Sequence, residues 1–335
     1  AKLRELIPVY TVKKRASPYP PKKHWIIKNQ AIWDLWASHI RTGKQPDTRI
    51  SRKAMHMVDI KKLAYEIPPE ESAMFFDEAG ELVMLVISDF CKSEEILRWA
   101  NEIVLLNVAL EKNVRKEDAG SIVIAGWSAG SRSRTRLDLA RNFELRNKLT
   151  QKEKSELQYK SGSVFALFWN LVKSLGPTEV VEDMEEFVAK NSLYKMDVKI
   201  AQGGRQQMFT VDVDGGVPLT FHDADLAPPS GVFARNYARC YLLMLLIRAI
   251  HKENQPHKWS VSWTTFRDNS RKEVGGHFYV AEYGIRIQAA SNKAVFWKPG
   301  DWHRTSLPML EPDAKGDGPL LQSGLAIVTS PRLPK

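Results

Sequence analysis

The segments Trp259–Phe266 (WSVSWTTF), His277–Gln288 (HFYVAEYGIRIQ), Ala294–Lys298 (AVFWK) and Leu325–Ser330 (LAIVTS) decide the fold. Each is short, rich in β-branched or aromatic residues, and bounded by Gly, Pro, Asp or Asn. That pattern predicts strands of a small all-β barrel or jelly roll. Met196–Ala201 and Met208–Val213 read as two more strands, and Tyr237–Ile250 as a strongly apolar helix. Upstream the texture changes. Ser93 is placed to cap a helix running to about Glu111. Arg134–Leu149, Lys152–Tyr159, Val164–Leu175 and Val180–Ala189 read as further helices, the third stopped by Gly176-Pro177. Phe75–Ile87 reads as a hairpin turning at Asp77–Gly80, and Ser121–Ala125 as a short buried strand. Helices in the first half and strands in the second predict an α+β architecture. Three regions are expected: a basic arm with a short helix (1–64), an α-rich elaboration (65–194) and a β-rich core (195–335).

Composition bounds the function. The chain has 335 residues, 43% apolar and 26% charged, which excludes a largely disordered or fibrous chain. Two cysteines, Cys91 and Cys240, exclude a disulfide framework and a four-cysteine zinc site. No apolar run approaches the roughly 20 residues of a membrane span, and Ala1–Tyr10 lacks a signal-peptide core. A reducing nuclear or cytoplasmic setting is expected. The net charge is +10, yet residues 1–64 carry 15 Lys/Arg against 4 Asp/Glu, so the remainder is nearly neutral. A basic arm on a neutral body suits a polyanion such as DNA, with Lys13, Lys14, Arg15, Lys22 and Lys23 as contacts and Arg52-Lys53 as a further dense point. Arg132, Arg134 and Arg136 form a second basic cluster that suits phosphates, or equally a solvated helix face. Trp25, Trp33 and Trp36 lie among the arm's cations, where they suit either base stacking or, for Trp33 and Trp36 at i and i+3, a helix anchored on the core.

The chemistry-bearing constellation centres on His251-Lys252-Glu253. In an extended segment, residues i and i+2 point to one side, so imidazole and carboxylate converge. His303 follows the Trp297–Trp302 turn, 52 residues on, enough for about five strands. Brought beside the triplet, it completes a two-His, one-carboxylate facial set that leaves positions open on iron(II). The plainer alternative makes His251 and Glu253 the solvated end of the preceding helix. His222 with Asp225 is a rival pair, lacking the i+2 spacing; the prolines and glycine after it suit a turn.

The stretch Trp263-Thr264-Thr265, Gly275-Gly276-His277-Phe278, Glu282-Tyr283-Gly284-Ile285-Arg286 and Trp302-His303-Arg304-Thr305-Ser306-Leu307 resembles the core of 2-oxoglutarate, Fe(II)-dependent dioxygenases, most closely the TET/JBP-type DNA-base oxygenases and their fungal relatives. The resemblance covers about residues 205–334. It implies a double-stranded β-helix, with Fe(II) on His251, Glu253 and His303, and Arg332 on the carboxylate of 2-oxoglutarate. It implies oxidation of a C–H bond, such as that of a methylated base in DNA, with release of succinate. The family's usual H-x-D is H-x-E here, one methylene longer. The segment Glu311–Gly318 is read as a loop insertion between His303 and Arg332.

Two other classes are open on the sequence. Gly126-Trp127-Ser128-Ala129-Gly130 matches G-x-S-x-G after an apolar strand, which predicts a hydrolase nucleophile elbow at Ser128. Against it, the following residues, Ser131-Arg132-Ser133-Arg134-Thr135-Arg136, are polar where an elbow helix should be apolar. The third class is a nucleic-acid-binding protein on the same fold with no catalysis.

Overall fold

A computed structural model describes residues 5–42, 54–113, 121–130, 135–140, 148–196, 208–211, 218–222, 225–237, 249–270, 274–309 and 320–333. The strands are β1 (Val9–Thr11), β2 (Trp25–Ile27), β3 (Met55–Met57), β4 (Tyr65–Ile67), β5 (Ala73–Phe76), β6 (Leu82–Ser88), β7 (Ser121–Gly130), β8 (Thr135–Leu139), β9 (Phe209–Val211), β10 (Leu219–Phe221), β11 (Ser230–Tyr237), β12 (Ser260–Arg267), β13 (Phe278–Val280), β14 (Ile285–Ile287), β15 (Lys293–Trp297), β16 (His303–Thr305) and β17 (Leu320–Ile327). The helices are α1 (Gln30–Thr42), α2 (Glu94–Leu110), α3 (Gln151–Leu175) and α4 (Thr178–Lys190). Among the described residues, no helix is long and apolar enough to cross a membrane.

Two sheets face each other. The larger has the order β1-β5-β6-β15-β12-β17-β11-β7-β8, the smaller β16-β13-β14-β4. From residue 230 onward the chain fills them alternately. β11, β12, β15 and β17 join the large sheet; β13, β14 and β16 join the small one, beside a bridge at His251. That winding is a jelly roll. Strand alternation assigns the faces. In β12, Val261 and Trp263 face the helices, while Ser262 and Thr264 face the interior cavity. Between the sheets, Phe75, Val86, Val295 and Trp297 meet Val280, Ile285 and Ile287. On the other side of the large sheet, α2 and α3 bury Ile103, Val104, Phe165 and Phe168 against Trp263, Phe233 and Leu325.

Local signals explain the framing elements. Ser93 accepts from the Ile96 N–H and starts α2, as its sequence indicates. Thr150 and Glu153 form a capping box at the start of α3, which unites two expected helices into one. The β5–β6 hairpin turns where Asp77 accepts from the N–H groups of Ala79 and Glu81, with Gly80 at φ +81°.

Several expectations change. The large sheet does not stop at residue 195: β1 and β5–β8 are part of it, so residues 65–194 supply five strands beside three helices. Thr135–Leu139 is a strand, not the start of a helix, consistent with its period-two Thr-Arg-Leu-Asp-Leu pattern. Ser230–Tyr237 is a strand that the sequence reading did not assign, and in the segment expected as a turn the Asp225 N–H donates to His222 O (2.9 Å); Gly231 is needed because a Cβ there would fall 2.4 Å from the Phe165 ring. Most of the expected strand Met196–Ala201 and helix Tyr237–Ile250 lies outside the described residues, as do Arg52, Lys53 and Glu311–Gly318.

Trp263 ties the layers together, its ring 5.8 Å from Phe90 and 5.9 Å from Phe168. Trp263→Ala is expected to cost about 3–5 kcal/mol of unfolding free energy, read from urea denaturation. A loss under about 1 kcal/mol would show that the helix layer does not depend on this contact.

Candidate metal centre and cavity

Two backbone hydrogen bonds build the centre. The N–H of His251 donates to the carbonyl of His303 (3.3 Å), and the N–H of His303 donates to the carbonyl of His251 (3.0 Å). This antiparallel bridge sets the two imidazoles side by side, ring centroids 4.9 Å apart. Glu253, two residues along the extended segment, turns to the same side, and its backbone N–H is held by Pro299 O (2.8 Å). One nitrogen or oxygen from each of His251, Glu253 and His303 lies within 4.8 Å of the others.

The ring orientations are set from behind. His251 Nδ1 lies 3.0 Å from Ala249 O, and His303 Nδ1 lies 2.8 Å from Asp301 O. A carbonyl only accepts, so each Nδ1 carries the proton and each Nε2 presents a lone pair. His251 Nε2 then stands 3.2 Å from Glu253 Oε1, two acceptors aimed at one point. Burial lowers the pKa of His251, partly countered by the Glu253 carboxylate. Burial, with His251 beside it, lowers that of His303 to about 4. Two neutral imidazoles and one carboxylate with converging lone pairs fit a divalent cation of borderline hardness.

The second Glu253 oxygen accepts from Gln255 Nε2 (3.3 Å), and Gln255 Oε1 accepts from the Thr329 N–H (3.3 Å). Glu282 lies behind the triad. Its carboxylate accepts from the Trp302 N–H (3.1 Å) and pairs with Lys252 (3.2 Å) and Lys14 (2.7 Å). Burial alone would raise this carboxyl; the bonds from Lys14, Trp302 and Lys252 outweigh it and hold the pKa below the usual range.

The triad opens on a cavity of about 640 Å³ inside the jelly roll. Phe278 and Trp297 wall it beside His303, each ring 5.9 Å from the imidazole. Ser262, Thr264 and Thr305 give it a band of hydroxyls, and Gln322 and Gly276 lie on its wall. Gln322 Oε1 accepts from Arg267 Nη1 (2.8 Å), and Gly275 O accepts from Arg267 Nη2 (2.7 Å). Arg267 is 6% exposed, and among the described residues no carboxylate forms an ion pair with it. Gly276 opens the wall toward it: a Cβ at Gly276 would lie 2.9 Å from Arg267 Nη1.

Other expected site residues fall elsewhere. Arg332 donates to Gly130 O (2.7 Å) and does not line the cavity. Asp225 pairs with Lys173 of α3 (2.9 Å), so the rival His222/Asp225 set is committed to the helix layer. Ser128 lies within β7, its hydroxyl accepting from the Gly130 N–H (3.2 Å); Gly126–Gly130 is strand, not a strand-to-helix elbow, which removes the hydrolase geometry.

The arm is built into the body. Lys14 is paired with buried Glu282, Lys13 with exposed Glu78 (3.4 Å), and Arg15 lies 5.8 Å from the Tyr19 ring. Lys22 and Lys252 both lie over Trp302, at 6.0 and 5.4 Å. The Lys23 N–H donates to Ile250 O. Trp25 and Trp36 are buried, and the Trp36 indole donates to Pro308 O, so these rings are core rather than stacking platforms. Arg132 and Arg134 lie outside the described residues; Arg136 is in β8. The sequence reading missed Gln255 and Trp297, which line the cavity, Glu282 behind the triad and Arg267 behind the cavity wall. Gln255 could have been found by extending the i+2 rule one step past Glu253.

No protein-family model matches the chain, and no curated protein matches it. Solved structures similar to it include NgTET1 in complex with 5mC DNA, at 11% identity over 92% of this chain and 93% of that one, TM-score 0.49. A prolyl hydroxylase from Trichoplax adhaerens, in complex with a hypoxia inducible factor peptide fragment, shares 9% identity over 73% and 82%, TM-score 0.34. An oxidoreductase of the 2OG-Fe(II) oxygenase family from Burkholderia pseudomallei shares 10% identity over 73% and 82%, TM-score 0.34.

The buried neutral histidines have a pH signature. An unfolded histidine titrates near 6.5, whereas His303 titrates at about 4 in the fold. Between those values the unfolded chain binds more protons, so metal-free stability falls as pH drops from about 6.5 to about 4. His303→Gln should flatten that slope in urea titrations at stepped pH. An unchanged slope would place the destabilising proton elsewhere.

Proposed function

We propose that this chain is a 2-oxoglutarate- and Fe(II)-dependent dioxygenase that oxidises a C–H bond, with a methylated base in DNA as its substrate. The observation that carries the reading is the convergence of His251, Glu253 and His303 at the mouth of a jelly-roll cavity. His251 Nε2, His303 Nε2 and a Glu253 oxygen would hold the iron on one face. When bound, iron and 2-oxoglutarate supply oxygen activation coupled to oxidative decarboxylation.

The chain's own residues do the rest. The Ala249 and Asp301 carbonyls keep both Nε2 atoms unprotonated and aimed inward. Phe278 and Trp297 exclude water from the wall beside His303. Arg267 is not itself a lining residue, but its guanidinium lies just behind Gly276 and Gln322 of the wall, where it would take the far carboxylate of the cosubstrate in place of Arg332. Support for a polyanionic substrate is the net charge of +10. A base in duplex DNA would have to leave the stack to reach the cavity.

Succinate release from 2-oxoglutarate, with oxygen added to a methylated oligonucleotide, is the test. His303→Ala should abolish both and leave oligonucleotide binding nearly unchanged. Salt-sensitive DNA binding by the wild type with no succinate under any condition would instead identify a binding protein on this fold. Arg267→Met should remove the preference for 2-oxoglutarate over 2-oxopentanoate, which lacks the far carboxylate. The expected loss is about tenfold or more in relative Kd, the worth of one charge-assisted contact. Arg332→Met should keep the preference; the reverse outcome would return the carboxylate to Arg332.

A further inference from the structure

We propose that Glu282 is the positioning residue that locks the two ligand-bearing segments together, and that the N-terminal arm completes the centre through Lys14. The inference rests on the metal reading above. Glu282 lies in the turn between β13 and β14 and is 5% exposed. Its contacts with Lys252 and Trp302 land beside ligands. Lys252, which pairs with it at 3.2 Å, is the middle residue of His251-Lys252-Glu253. Trp302, whose N–H it accepts at 3.1 Å, is the residue before His303. Its own N–H donates to Trp302 O (3.2 Å), doubling that tie.

The third contact comes from far away in sequence. Lys14 reaches Glu282 at 2.7 Å, and the next residue, Arg15, donates its N–H to Glu282 O at 3.0 Å. A buried carboxylate needs compensation for lost hydration, and here two ammoniums and one N–H supply it. Removing Lys14 therefore leaves a buried charge short of one partner, at a residue that holds both sides of the triad. The arm's best-placed cation is thus committed to the centre rather than to a phosphate.

The test uses Co(II), which binds the same donors and reports its geometry through its visible d–d bands. Full-length protein is titrated calorimetrically and by absorption. Glu282→Gln is expected to weaken Co(II) binding about tenfold and shift the bands. Lys14→Met is expected to weaken it about threefold, with Lys14→Arg restoring it and Lys13→Met having no effect. The sign is diagnostic for Lys14→Met; for Glu282→Gln, where losing an anion would itself weaken binding, the band shift is the readout. Deleting a cation near a divalent ion would by Coulomb's law alone tighten binding, so weakening reports lost geometry. Equal or tighter Co(II) binding with unchanged bands in Lys14→Met and Glu282→Gln overturns the proposal. If Glu282→Gln does not fold, the exposed Lys14 variants decide alone. Co(II) binding indifferent to His303→Ala would sink the metal reading and this inference together. Binding that needs His303 but ignores Glu282 and Lys14 would sink only the inference.

Discussion

The reciprocal pair of backbone hydrogen bonds between His251 and His303 is the constraint from which the site follows. It is a lone bridge, outside any regular strand on the His251 side, yet it brings together residues half a hundred positions apart. Because antiparallel partners point to the same side, pairing these two residues and no others makes their imidazoles neighbours. A slip of one residue would turn one ring out of the cavity. The jelly-roll winding serves this bridge. Placing β12 and β15 in the large sheet and β13, β14 and β16 in the small one returns the chain to the 251 segment at the right height.

The bridge is short, so its register needs outside support. Two hydrogen bonds alone are worth little net of solvation. Glu253 N–H to Pro299 O and the contacts of Glu282 with Lys252 and Trp302 extend the pairing on both sides. The Trp302 ring adds to this, lying under the ammoniums of Lys22 and Lys252. Lys252 and Lys14 are thus engaged in holding the loop through Glu282.

Much of this was legible from local chemistry. The H-x-E spacing in an extended segment and a histidine closing the Trp297–Trp302 turn are short-range facts, and the structure joins them. Ser93 and the Asp77 turn act within one turn of chain, so their readings describe α2 and the β5–β6 hairpin well, whereas the Thr150/Glu153 capping box escapes the sequence reading, which expects α3 as two helices. The misreadings share a cause. Ser128 looks like an elbow only until β11 pairs with Ser121–Gly126 of β7 and β8 pairs with the rest, Ser128 opposite Asp138. Lys14 looks like a phosphate contact only until the β13–β14 turn places a carboxylate beside it. Arg332 looks suitable by its place after a strand, but its guanidinium is taken by Gly130 O at the end of β7. Partners distant in sequence decided each case.

The glutamate at position 253 follows the same logic. One extra methylene gives the carboxylate more reach and more rotamers than an aspartate, and a loose ligand weakens a metal site through the entropy of fixing it. Gln255 answers that directly. By donating to the second Glu253 oxygen while accepting from the Thr329 N–H, it ties the carboxylate to the end of β17. One oxygen is left facing His251 and the other is engaged, so the longer side chain is held as a shorter one would be. The longer side chain at position 253 thus comes with a neighbour that fixes it.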